Sequence, residues 1–116
     1  MRSRFAAFAL GRADYLWRTL HSTHPLRARP EGEVLRELRQ AHERLRYLGV
    51  QVHEVRVEGT HAQVLFGVRV FQRGNDSSFV ELSDFEWEDG WRYVGGVTRG
   101  ARELPSPRFT DFASGA

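Results

Sequence analysis

The chain has 116 residues, a net charge of +2 and 41% hydrophobic residues, which suits one domain built on one core. It contains no cysteine, which excludes a disulfide framework, a thiolate nucleophile and a cysteine-ligated zinc site, and fits a reducing cytoplasm. All 17 basic residues are arginine, so no lysine is present to form a Schiff base or act as a base.

In chain order, Met1, Phe5 and Phe8 fall at i, i+4 and i+7 and predict a first helix, interrupted at Gly11. The apolar part of this opening is too short for a secretory signal, and no later run approaches a membrane span. Ala13, Leu16, Trp17 and Leu20 predict a second helix, with Asp14, Arg18 and His21 on its opposite face. Pro25 and Pro30 bracket a loop. Val34, Leu38, Ala41, Leu45 and Leu48 then form one stripe, predicting a third helix that runs to a stop at Gly49.

The second half alternates with period two. Val50 and Val52 are out of phase with Val55 and Val57, which predicts a β-bulge near His53 and Glu54. Val64, Phe66, Val68 and Val70 share one face of the next strand, and Arg73 to Asp76 has turn chemistry. Phe79, Glu81, Ser83, Phe85 and Trp87 share one face of a third long strand, and Asp89-Gly90 predicts a hairpin into a fourth, Trp91 to Thr98. The fold class is therefore α+β. Three N-terminal helices pack into the concave face of a strongly curved four-stranded antiparallel sheet, with a cavity expected between the long helix and the sheet. Residues 1–100 form this domain, and 101–116, with Pro105 and Pro107, read as an extended or mobile tail.

The opening MRSRFAAFALGRADYLWRTLH resembles the start of the central domain of the YchJ family, bacterial proteins of unknown function. Tyr47-Leu48-Gly49-Val50, Phe79-Val80-Glu81 with Phe85, and Glu88-Asp89-Gly90-Trp91-Arg92-Tyr93-Val94 are similar to later landmarks of that family. The resemblance covers residues 1–99, least in 27–46. It implies a nuclear-transport-factor-like, cystatin-like α+β cone. Family members carry a cysteine cluster before this domain, and often a second after it, of the zinc-binding kind called SEC-C, and this chain has no cysteine to supply one. Two local departures stand out: Pro25 is displaced from the family position, and Asp84 stands where a basic residue is usual.

The residues that could carry chemistry are Arg4, Tyr15, His21, Glu81 and Trp87, grouped as a candidate pocket. Glu81 lies on an otherwise apolar strand face, where a carboxylate needs a partner, and Arg4 or Arg2 is expected to pair with it. His21 is a candidate general base, as histidines commonly are, oriented by Asp14 or Glu81, or it simply caps the helix end. The aromatic residues sit at helix and strand periods and read as core. His21, His24, His42, His53 and His61 lack metal-ligand spacing, so neither metal nor cofactor is expected.

The sequence leads first to a non-catalytic accessory module that contacts a protein partner. The alternative is a domain that binds a small ligand, or performs acid–base catalysis, in the cone cavity. Arginine is concentrated in residues 1–50, ten against five acids, but the arginines alternate with acids along helices, which marks a solvated face rather than a nucleic-acid surface. Leu65, Phe71, Val80 and Leu82 point outward from the sheet, which predicts a homodimer through that face unless Leu104, Phe109 and Phe112 of the tail fold back over it.

Overall fold

The computed structural model describes residues 1–103 and 106–112. Helix α1 (Arg2–Leu10) ends at Gly11, whose φ of 70° is the left-handed conformation that glycine adopts without penalty. A side chain there would also collide with His42, since a Cβ would lie 2.8 Å from the ring. That close approach lets His42 of helix α3 (Glu31–Arg44) bring Nδ1 within 3.1 Å of the Phe8 carbonyl. Helix α2 (Ala13–Arg18) is only six residues long. Its buried Leu16 and Trp17 face inward, and Trp17 packs with Leu20 and Val34 in a helical cluster.

The sheet runs β1 (Leu45–Glu58), β2 (His61–Gln72), β4 (Phe79–Trp87), β5 (Trp91–Gly100) as an antiparallel meander. A two-residue strand β3 (Asn75–Asp76) pairs only with the end of β2. The expected alternation holds: Ala62, Val64, Phe66, Val68, Val70 and Phe85 form the concave core, against which Met1 and Phe5 of the helical layer pack. The β-bulge expected near His53 is present as a register shift between Val52 and Glu54. Another shift, between Asp84 and Phe85, lies opposite the β5 stretch Tyr93 to Gly95.

Three expectations need correction. Leu45 and Leu48 do not extend the third helix. The chain passes directly from Arg44 into β1, because Leu45 and Tyr47 pair with Gln72 and Val70 of β2, and Gly49 sits at a register shift rather than at a helix end. The Tyr47 ring then reaches Phe5 and Phe8 of α1, at centroid distances of 5.9 and 6.0 Å. Tertiary pairing here overrides a helical stripe that local periodicity favours.

The second correction concerns the tail. Phe109–Phe112 form a short 3-10 helix, and Phe109 is buried against Leu65 and Val80, with Leu82 and Phe112 beside it. Arg56 of β1 stacks over the Phe109 ring at 4.0 Å, so part of the tail is packed on the convex face rather than extended. Leu104 lies outside the described residues. The third concerns the cavity: of the two cavities on the concave side, the larger is lined from the helical layer by α1 and α2 and the smaller by α1, and neither by the long helix α3.

Candidate functional site

Arg4 is the centre of the concave side. It is the fourth residue of the chain, on the inner face of α1, and only 6% exposed. Its Nη1 donates to the Leu16 carbonyl at 3.3 Å and to Thr19 Oγ1 at 2.5 Å. Thr19 in turn donates its hydroxyl to the Tyr15 carbonyl at 2.9 Å, which fixes the acceptor at the end of α2. That end is tied to the sheet: Tyr93 N donates to the Thr19 carbonyl at 2.7 Å, and His21 N to the Tyr93 carbonyl at 2.8 Å. The guanidinium lies 4.7 Å from the Tyr93 ring centroid, a cation–π stack. Burial lowers the Arg4 pKa to about 10, against the opposing pull of Tyr93, Glu81 and Tyr15. The group stays charged at neutral pH.

No Arg4–Glu81 ion pair exists among the described residues, and this corrects the sequence expectation. Glu81 Oε2 accepts instead from the Tyr93 hydroxyl at 2.9 Å and from the Ser83 hydroxyl. The Tyr93 phenol is pushed well above its ordinary range, by burial first and then by the Glu81 carboxylate. Glu81 therefore has its partners in the sheet itself, and Tyr93 touches both charges, its hydroxyl on Glu81 and its ring beside the Arg4 guanidinium. Gly96 makes room for this: a Cβ there would lie 2.5 Å from Glu81 Oε2. The sequence hint to the Glu81 partner is Tyr93, which shares the concave parity of β5.

Two cavities open beside Arg4. The larger, about 870 Å³, lies between the start of α1, Tyr15, Thr19, the concave face of β1, β2 and β4, and the Asp89–Arg92 hairpin. Its floor is apolar: Val52, Val55, Val57, Ala62, Val64 and Phe85. Val55 and Val57 remain 54% and 58% exposed there. The smaller, about 160 Å³, lies deeper, between Phe5, Phe8, Tyr47, Phe66, Glu81 and Tyr93. Met1 and Arg4 line both.

Of the five residues grouped from the sequence, Arg4 and Tyr15 line the larger cavity, and Arg4 and Glu81 the smaller. The Tyr15 hydroxyl donates to Ser3 Oγ at 2.7 Å, closing α1 onto α2 at the rim. His21 and Trp87 line neither. His21 faces the β4–β5 turn, with Nε2 3.4 Å from Glu88 and Nδ1 2.8 Å from Thr23 Oγ1. Glu88 also accepts from Ser22 N and Oγ, and these bonds hold its carboxyl below the usual glutamate range. Neither Asp14 nor Glu81 orients His21 among the described contacts. Trp87 is exposed and stacks edge-on against Trp91, 5.5 Å between centroids, which does line the cavity. Thr19, Val52 and the Asp89–Arg92 turn were not legible as site residues, since nothing in their spacing links them to Arg4. No group of three or more histidines and acids suited to a metal ion occurs among the described residues.

Residues 1–96 match the family model of the middle NTF2-like domain of YchJ. The chain belongs to the YchJ family. A UPF0225 protein of Bordetella pertussis is 35% identical over 102 residues, covering 85% of this chain and 69% of that protein. One from Polaromonas naphthalenivorans is 38% identical over 101 residues, covering 83% of this chain and 65% of that protein. Among solved structures, the solution structure of a SEC-C motif containing protein from Rhodopseudomonas palustris superposes with a TM-score of 0.70 at 28% identity, over 84% of this chain and 73% of the other. The YchJ-like cone is thus the shared fold, and the landmarks at Met1–His21 and Glu88–Val94 fall within the matched span.

Proposed function

We propose that this YchJ-like domain binds a small molecule in the cleft beneath the start of α1. The observation that carries this reading is a buried guanidinium, Arg4, held at the wall of a cavity of about 870 Å³ with an apolar floor. A concave, mostly apolar site with a few fixed polar groups is the usual form of a small-ligand pocket, and the volume suits a drug-sized molecule. This supports ligand binding over a protein-interaction module, since a protein partner needs no cavity. A cytoplasmic setting fits the cysteine-free chain, and no described helix is long and apolar enough to cross a membrane.

The test is amide-resolved NMR of the labelled chain against a small-fragment library. Binding in the cleft moves the resonances of Ser3, Thr19, Val57 and Gly90 together. A library of several hundred fragments, on the order of what such screens use for sites of this size, that leaves those amides unmoved would overturn the reading.

A further inference from the structure

We propose that the ligand of this cleft is a carboxylate with an aliphatic body, its head held by the Nε and Nη2 edge of Arg4. The proposal rests on the small-molecule reading above and names the chemistry of that ligand. A guanidinium presents five N–H donors in one plane. Both contacts that Arg4 makes use Nη1, to Leu16 and Thr19. The guanidinium carbon also lies over the Tyr93 and Phe8 rings, 4.7 and 5.9 Å from their centroids. Nε and Nη2 donate to no acceptor among the described residues, and neither is sealed from solvent, since Arg27 Nε is the one closed-off side-chain nitrogen or oxygen without a partner among them, so this edge of Arg4 is open to an incoming acceptor.

A buried cation without an ion-pair partner is costly, and a ligand anion relieves that cost. The nearest candidate in the chain, Glu81, is bound to Ser83 and Tyr93 instead. Two parallel donors on one planar edge match the two oxygens of a carboxylate, the bidentate arrangement arginine favours. A dianionic phosphate fits less well, because the Glu81 carboxylate, which lines the smaller cavity together with Arg4, opposes a second negative charge. From Arg4 the cleft runs over Val52, Val55, Val57, Ala62, Val64 and Phe85, which offers an unbranched alkyl body an apolar floor and no hydrogen bonds. The charged groups at the mouth, Arg2, Arg92 and Asp89, have a net positive sum that draws an anion in.

The experiment is calorimetric titration of the intact chain at pH 7 with sodium octanoate, octanamide and octyl phosphate. Octanoate is expected to bind at least about tenfold more tightly than octanamide, as a hydrogen-bonded charge pair requires. Val55→Asp, at an exposed floor position, is expected to weaken octanoate while leaving the far-ultraviolet spectrum unchanged. Arg4→Met is expected to abolish the preference for the acid, and the wild-type comparison stands if that variant does not fold. Octanoate and octanamide binding equally would overturn the carboxylate assignment and leave the cleft a ligand site. Octyl phosphate binding more tightly than octanoate would overturn it in favour of phosphate. If none of the three binds while library fragments do, the proposal falls alone; if fragments also fail, the cleft reading falls with it.

Discussion

Trp17→Ala is the most informative change to the scaffold that holds Arg4. Trp17 is 9% exposed and packs on Leu20 and Val34, with Leu26, Leu35, Leu38 and Tyr93 around them. The Arg27 guanidinium lies 4.8 Å from the ring centroid. Truncating a buried tryptophan to alanine costs about 3–5 kcal/mol through lost transfer energy and the cavity left behind. A chain of this length has a total stability of roughly 6–17 kcal/mol at the usual value per residue, so the loss is a large share. Taking an unfolding entropy of about 2.1 cal/mol/K per residue, the melting temperature falls by roughly 12–20 °C. Thermal unfolding followed by far-ultraviolet circular dichroism measures the shift, and urea unfolding the free-energy loss, with Trp87→Ala as the matched control. Trp87 is 54% exposed and lies outside all three buried clusters, so its truncation should cost well under half as much. A Trp17 variant as stable as wild type, or a Trp87 variant that is worse, would refute the packing on which the α2–α3 layer depends.

Three further outcomes follow from the same contacts. Tyr93→Phe removes the hydroxyl that donates to Glu81 at 2.9 Å and should lower stability by about 1.5–3 kcal/mol, the worth of a hydrogen bond to a charged group; a neutral result in urea unfolding would show the bond contributes nothing. The Glu88 carboxyl is held low by Ser22 and by the neighbouring His21 and Arg92 charges, so its contribution is present above the ordinary glutamate pKa and is lost as the pH falls through the lower folded value. Glu88→Gln should therefore be less stable than wild type at neutral pH, with the difference closing in acid; a gap that widens on acidification contradicts the sign. Ending the chain at Gly100 uncovers Leu65 and Val80 by removing Phe109 and Phe112, and sedimentation should show the truncated form self-associating more than the full chain; equal monomers would mean that face needs no cover.

The sheet was readable because alternation is a strong signal in this chain. Val64 to Val70 keep one parity over the whole central strand, and the phase slip at His53 marks a real change of register. Asp89-Gly90 named its own turn: Asp89 adopts a φ of 56° and Gly90 one of 116°. The α3–β1 junction was not readable, since Leu45 and Leu48 satisfy a helical period as well as a strand and only the presence of β2 decides between them. Arg4 and Glu81 were each legible as inward charges, but their partners were not. The Thr19 acceptor depends on where α2 stops, and the Tyr93 donor depends on the bulge opposite Asp84. Neither feature leaves a mark at the level of spacing. His21 was drawn into the pocket as a candidate general base within the family-like opening, yet the bridge between Leu20 and Tyr93 turns it toward Glu88.

The most direct measurement of the central claim is a crystal structure of the chain grown with sodium octanoate. The carboxylate is expected within hydrogen-bond distance of Arg4 Nε and Nη2, with the alkyl chain lying along Val52, Val55 and Val57 toward the Asp89–Arg92 turn. An alkyl chain bound elsewhere, or one in this cleft with its carboxylate turned out to solvent and Arg4 Nε and Nη2 still without an acceptor, would contradict it.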